Sequence, residues 1–249
     1  IQYASYDSEE DTWWCEATAV WMEDEVYDGI NMYEDYLRLP TSVFNRPDLS
    51  LDYVNDQHEY STVVFVKYLS EHNGVGFIKK IWNVCGAKPG PNSIDAIIYC
   101  LGGKENLKQT FQNFTCANYI RAGPEGYEEG LLYPQVYMVP GYFSGRNLHY
   151  VKDYPSSVGS SVPWEEGTFP SGGNIALPHL ACHYIRFMKP VEVDTVTHMY
   201  LSFEGEGDAG LWGLSVIKVS NRNDKEKVIV PLNTATNSIY DYEMEIGGN

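Results

Sequence analysis

Residues 11–27 constrain the fold more than any other stretch, because they form a long run with neither Gly nor Pro. Ser8, followed three residues later by Asp11, predicts the start of a helix with a capping box. At about 100° per residue, its apolar residues fall on two arcs. The inner arc holds Trp13, Trp14, Ala17, Val20 and Trp21, and the outer arc holds Cys15, Ala19, Met22 and Val26. A helix that is apolar on opposite sides is usually buried, so we expect both arcs to be covered.

Glu16 and Glu23 project from the border between these two arcs, seven residues apart and about 20° from the same line. A carboxylate in a buried helix costs several kcal/mol unless an Arg or Lys, a proton or a metal ion compensates its charge. A glycosidase pair fits poorly, since roughly 10 Å of helix axis separates the two residues. A di-iron bundle fits worse, since the chain contains no Glu-x-x-His. A structural ion pair and metal ligation by Glu16 remain open.

The composition limits the classes of protein to which this chain can belong. The chain has 249 residues, 43% hydrophobic and 20% charged, which is typical of globular proteins. The formal charge of −17 argues against binding to nucleic acid or to anionic membranes. The apolar runs are too short for a membrane span. Abundant Tyr, Asn, Gly and Ser favour an extracellular or cell-surface location.

The rest of the chain divides into three predicted parts. Residues 1–121 are predicted to be helical, with further helices at residues 30–39, 56–71, 77–84, 94–101 and 107–119. Residues 122–171 are rich in Gly, Pro and Ser and predict an irregular connector. Residues 172–249 alternate short β-branched runs with turns, at 183–188, 197–203, 212–219, 227–231 and 239–245. The predicted fold class is α+β, a helical subdomain followed by a jelly-roll-like β-sandwich.

Two further sequence patterns are only weak indications of a metal site or a disulfide. His179 and His183 would share one face of a helix, but the motif lacks the Glu of His-Glu-x-x-His and runs into a predicted strand. In an extended chain the two would lie about 13 Å apart, so a metal site there is disfavoured. The five Cys, an odd number, predict mainly buried thiols, with one disulfide among Cys85, Cys100 and Cys116 as the alternative.

The run Trp-Cys-Glu-Ala-Thr-Ala-Val-Trp-Met-Glu (residues 14–23) resembles the second zinc-site helix of gluzincin metallopeptidases. More closely, residues 16–27 resemble a family of secreted zinc metalloproteases. In that family the preceding helix carries His-Glu-x-x-His-Ala, followed by Ile-Gln-Tyr. This sequence begins Ile1-Gln2-Tyr3. The resemblance therefore implies that the other two zinc ligands and the general base precede this chain in its precursor.

The resemblance also implies roles for particular residues. Glu16 would be the third protein ligand of a catalytic Zn²⁺. Glu23 would orient a ligand or its helix, the alternative being a buried salt bridge. Residues 57–74 are similar to the gluzincin helix that carries a catalytic Tyr. Tyr60 would then stabilise the oxyanion through its phenol, the alternative being a core residue with its hydroxyl on a backbone carbonyl. His58 is a weaker candidate for substrate contact or oxyanion stabilisation, the alternative being an exposed histidine without a function.

Two classes of function follow. The first is peptide-bond hydrolysis by a zinc-bound water in the intact protein, this chain alone lacking a complete zinc site. Its partners would be a peptide or protein substrate and the upstream segment of the same precursor. The second is a non-catalytic extracellular fragment or pseudoenzyme whose sandwich binds glycan, a surface or copies of itself. The encoded sequence upstream of Ile1 discriminates between them.

Overall fold

The computed structural model describes residues 6–87, 90–144, 147–150, 177–187, 198–204, 212–221, 224–230 and 238–245. The chain divides into two compact units. The first comprises residues 1–137 and 177–182, and the second comprises residues 138–176 and 183–249.

The described part of the first unit contains seven helices. They are α1 (Thr12–Val26), α2 (Tyr33–Leu37), α3 (His58–Ser61), α4 (Val63–Asn73), α5 (Gly76–Cys85), α6 (Ser93–Leu101) and α7 (Lys104–Ile120). Helix α4 is the central element, since every residue from Val63 to Ser70 is buried. Helices α1 and α5 pack against it, and α3 packs against α1.

The start of α1 differs from the predicted capping box. Asp11 is the N-cap residue, but its side chain makes no cap hydrogen bond. Its carboxylate instead accepts a hydrogen bond from the Ser93 hydroxyl at 3.0 Å. The side chain is therefore used to join α1 to α6 rather than to close the first turn of α1.

The predicted helix at residues 56–71 is broken into α3 and α4 at Thr62. The Thr62 hydroxyl donates to the Glu59 carbonyl at 2.6 Å, and the Ser61 hydroxyl donates to the His58 carbonyl at 2.7 Å. Hydroxyls that bond to nearby carbonyls compete with the helical hydrogen-bond ladder. The break sets α3 apart as a single turn that carries His58 and Tyr60.

The prediction that both arcs of α1 are buried is wrong for the outer arc. The inner arc is buried, with Trp13, Trp14 and Ala17 at most 1% exposed. On the outer arc, Met22 is 37% and Val26 is 60% exposed, and Ala19 is exposed as well. Only one side of α1 faces helices of the described structure, so the other side is an uncovered apolar surface.

The described strands of the second unit are β1 (Val139–Ser144), β2 (Asn147–Tyr150), β3 (Ile185–Phe187), β4 (His198–Glu204), β5 (Leu214–Asn221), β6 (Asp224–Val230) and β7 (Ser238–Glu245). They form one three-stranded sheet, β2-β1-β3, and two pairs, β4-β7 and β5-β6. Strand β1 is antiparallel to β2 and parallel to β3, and both pairs are antiparallel.

The predicted α+β fold with a jelly-roll-like β-sandwich is wrong. A sandwich packs two larger sheets face to face, whereas the described strands form separate sheets of two or three strands, and the described structure is mostly helical. Alternating apolar residues indicate strands but do not specify which strands pair. Strands β1 and β2 also lie within residues 122–171, where the sequence predicts an irregular connector.

Candidate functional site

Glu16 lies on α1 at the edge of the exposed outer arc and is half-buried. Among the described residues, no Lys, Arg or His lies within ion-pair distance of its carboxylate. The structural ion pair considered as an alternative for Glu16 is therefore not formed in this part of the chain. The carboxylate sits beside an uncovered surface with its charge uncompensated by any described cation.

Tyr60 is placed close to Glu16 by the packing of α3 against α1. Partial burial raises the pKa of the Tyr60 phenol, and the negative charge of Glu16 raises it further. The Tyr60 hydroxyl has no hydrogen-bond partner among the described residues, so it does not bond to a backbone carbonyl there as a core tyrosine would. The structure thus brings together two of the residues that the sequence selects, with the phenol oxygen available.

Tyr36 contributes a third group to this region. Its ring, carried by α2, stacks on the ring of Tyr60 with centroids 5.1 Å apart and planes inclined by 24°. In the sequence, Tyr36 is one residue of the predicted helix at residues 30–39. No signal in the sequence links residues 36 and 60, because the pair forms only when α2 and α3 pack.

Glu23 is exposed on α1, one heptad beyond Glu16. The orienting role predicted for it stays a prediction, since no described side chain contacts its carboxylate.

His58 is 1% exposed, so the alternative of an exposed histidine is wrong. Its Nδ1 lies 2.6 Å from the Thr41 carbonyl, and its ring contacts Tyr53 edge to face. Burial lowers the pKa of the imidazole, so it is neutral at pH 7 and Nδ1 carries the hydrogen donated to Thr41. This position favours a structural imidazole that fixes the entry to α3 over contact with a substrate.

The buried carboxylate of α1 is Asp24, a residue that the arrangement of arcs does not single out. Asp24 is 6% and Lys67 is 7% exposed, and the Lys67 ammonium binds the Asp24 carboxylate directly. The same ammonium lies 2.8 Å from the Glu129 carboxylate and 4.5 Å from the centre of the Tyr33 ring. A signal for Asp24 does exist, because at 100° per residue it falls within the inner arc, between Val20 and Ala17.

Glu71, one turn after Lys67 on α4, is the basis of a pH prediction. Burial raises the pKa of its carboxyl from 4.5 to about 7, and the nearby charges of Glu128 and Glu129 add to this, while the Glu128 amide and Lys67 oppose it. Folded protein therefore binds this proton more tightly than unfolded protein between pH 4.5 and 7. We expect this residue's contribution to stability to fall as the pH rises through that window.

The expected size of that loss is on the order of 1–2 kcal/mol, discounted from the full shift because Glu71 is only half-buried. Urea unfolding at pH 5 and pH 8 measures it, and Glu71→Gln should remove most of the difference between the two values. Glu105→Gln, at a side chain 73% exposed, serves as the control and should leave the difference unchanged. An equal pH dependence in wild type and Glu71→Gln would contradict this assignment.

The described residues contain no group of three or more His, Cys, Asp or Glu placed to hold a metal ion. A catalytic zinc takes three protein ligands, and here Glu16 offers one, so this part of the chain does not fit zinc by itself. The segment from residue 177 to residue 184 is not helical, so His179 and His183 do not share a helical face. His179 Nε2 instead lies 3.0 Å from the Asp52 carboxylate.

The thiols are equally unsuited to a described metal site. Cys15, Cys85 and Cys100 are free, so no disulfide joins Cys85 to Cys100. Burial and the neighbouring charge of Glu10 raise the pKa of Cys15 to about 12. Such a thiol stays protonated at pH 7 and is neither a good nucleophile nor a ready ligand.

Comparisons with protein-family models, curated proteins and solved structures find no match to this chain. In the described residues, no helix is both long and apolar enough to span a membrane.

Proposed function

We propose that this chain is part of a zinc metallopeptidase that hydrolyses peptide bonds in its intact form. Glu16 is the carboxylate ligand that the chain contributes, and Tyr60 is the hydrogen-bond donor to the oxyanion. A His-Glu-x-x-His segment of the same precursor supplies the other two ligands and the general base. When bound, zinc activates the attacking water and polarises the peptide carbonyl.

The observation that carries this proposal is the pairing of Glu16 with Tyr60. A carboxylate with no described cation lies near a phenol with no described hydrogen-bond partner, and the two residues come from different helices. Both groups are partly exposed, so they are accessible to a ligand supplied by a further segment. They suit a site that is completed by a further ligand.

The exposed outer arc of α1 supports the same proposal. Ala19, Met22 and Val26 form an uncovered apolar strip next to Glu16. An apolar helix face of this kind is normally covered by another element. The upstream segment of the precursor is the proposed cover, and packing there would bring its histidines to the side of α1 on which Glu16 lies.

The raised pKa of Tyr60 fits its proposed part in the reaction. Because partial burial and the charge of Glu16 both raise this pKa, the phenol keeps its proton at neutral pH. It then donates that hydrogen to the negative oxygen that develops on the peptide carbonyl. The substrate class is peptide or protein. Extracellular or cell-surface location belongs to the same proposal and draws on the resemblance and the composition.

The test uses the full encoded protein with its upstream segment, assayed for bound zinc by elemental analysis and for hydrolysis of a peptide library by mass spectrometry. Glu16→Gln should lose zinc and lower kcat/KM by at least about 100-fold. Tyr60→Phe should keep zinc and lower kcat by about 10²–10³-fold. Glu25→Gln, an exposed position on the other side of α1, should change neither.

Three results would overturn the proposal. They are an encoded protein without a His-Glu-x-x-His segment, a wild-type protein that holds no zinc and cleaves no peptide, and a Glu16→Gln variant that retains both. The first of these would favour the non-catalytic class of function. Glu23→Gln is a subsidiary variant, for which an orienting role predicts zinc affinity weakened by about 10- to 100-fold.

A further inference from the structure

The stacking of Tyr36 on Tyr60 joins α2 to α3 near the proposed site. Neither phenol hydroxyl has a hydrogen-bond partner among the described residues. Among those residues, the stack, with centroids 5.1 Å apart, is the aromatic contact that limits rotation of the Tyr60 side chain. A ring with a free hydroxyl and one stacking neighbour depends on that neighbour for its orientation.

Helix α2 is held in place by contacts with other described residues, so the backbone position of Tyr36 is fixed. Tyr33, one turn earlier on α2, is 2% exposed and donates its hydroxyl hydrogen to the Glu129 carboxylate at 2.5 Å. Its ring meets Tyr133 edge to face at 6.0 Å. Arg38, just after α2, donates to the Leu132 carbonyl at 2.8 Å. These contacts fix the position of α2 and, with it, the backbone of Tyr36.

We infer that Tyr36 is a positioning residue, whose ring holds the phenol of Tyr60 in place beside the Glu16 carboxylate. The inference rests on the proposed function for its catalytic consequence, but not for its geometry. Oxyanion donors act only when they are held close to the productive position in advance. A Tyr60 ring released from the stack would sample other rotamers and reach that position less often.

The first experiment needs no activity and uses the 249-residue chain. Tyr60 resonances are assigned by comparing wild type with Tyr60→Phe in NMR spectra of side-chain-labelled tyrosine, and the χ1 rotamer populations of Tyr60 are measured from three-bond couplings. In wild type the stack on Tyr36, with centroids 5.1 Å apart, should hold Tyr60 in one χ1 rotamer. In Tyr36→Ala the couplings should average over several rotamers, because the ring that limits rotation is gone.

Tyr36→Phe is the matched control, since it keeps the stack and removes only the hydroxyl. It should keep Tyr60 in the single rotamer of wild type. Wild-type couplings for Tyr60 in Tyr36→Ala would overturn the inference. Far-ultraviolet circular dichroism and the urea midpoint of each variant establish that the comparison is made between folded proteins.

The second experiment measures catalysis by the full encoded protein. Tyr36→Ala should lower kcat on the order of tenfold with KM changed less than about twofold, and Tyr36→Phe should match wild type. Combined with Tyr60→Phe, Tyr36→Ala should have no further effect on kcat. An additive effect in that background would overturn the positioning role. If wild type is inactive, or Glu16→Gln is fully active, the proposed function fails, while the NMR couplings of Tyr60 still decide the inference.

Discussion

Replacing Lys67 by Met is expected to lower the free energy of unfolding by about 3–5 kcal/mol, because it leaves buried carboxylates without their cation. The ammonium of Lys67 binds Asp24 and lies 2.8 Å from Glu129, and Lys67 itself is 7% exposed. Burial alone would lower the pKa of this ammonium, but its hydrogen bonds to Asp24 and Glu129 hold the pKa above its ordinary value. The ammonium of Lys67 is therefore charged at neutral pH.

The two carboxylates that bind Lys67, those of Asp24 and Glu129, explain why the loss of stability should be large. Burial raises the pKa of Asp24 even with Lys67 beside it. For Glu129, burial acts in the same direction, but hydrogen bonds from Lys67 and Tyr33 outweigh it and lower the pKa. Without Lys67, both acids must remain charged in a poorly solvated site or take up protons, and either outcome costs stability.

Urea unfolding at pH 7 measures the loss. Lys79→Met, at an exposed position on α5, is the matched control and should stay within about 0.5 kcal/mol of wild type. The triple variant Asp24→Asn, Lys67→Met, Glu129→Gln should recover much of the loss, because it removes the uncompensated charge as well as the cation. A Lys67→Met variant within 1 kcal/mol of wild type would show that the cluster is less buried than described.

The ion-pair cluster of Asp24, Lys67 and Glu129 shows which buried charged residues can be identified from the sequence and which cannot. Glu16 and Glu23 were selected because they border two apolar arcs, but the outer arc is exposed and neither residue is deeply buried. Asp24, inside the inner arc, is the residue that needs a cation. Its partner Lys67 lies on α4, and no local pattern predicts a pairing across 43 residues. The proposed role of Glu16 rests on a different observation, its nearness to Tyr60.

The positions of helices and strands can be predicted from this sequence much better than the pairing of the strands into sheets. Helices occur at each predicted helical stretch, and β3 to β7 each overlap a predicted strand, because hydrophobic periodicity and turn residues are local signals. The break at Thr62 was missed because hydroxyl competition with the backbone depends on rotamers that periodicity does not encode. The prediction of a β-sandwich was wrong because strand pairing is set by long-range packing. The same short apolar runs pair instead into small separate sheets.

Replacing Trp14 by Ala is the second change with a large expected effect, a loss of about 3–5 kcal/mol in the free energy of unfolding. Trp14 is 0% exposed and lies between two other indoles, with ring centroids 5.5 Å from Trp13 and 6.3 Å from Trp82. This cluster joins α1 to α5. Truncation at its centre leaves a cavity that rigid flanking rings cannot collapse to fill.

The chain offers two informative comparisons for this variant. The Trp14 indole N–H is buried and has no hydrogen-bond partner among the described residues, so Trp14→Phe removes an unsatisfied donor together with part of the ring. It should lose only about 1–2 kcal/mol. Met22→Ala, on the outer arc of the same helix, should change stability by less than about 0.5 kcal/mol in this chain. If Met22→Ala instead proved as costly as Trp14→Ala, the outer arc would be covered in solution, and the surface next to Glu16 would not be open to a further segment.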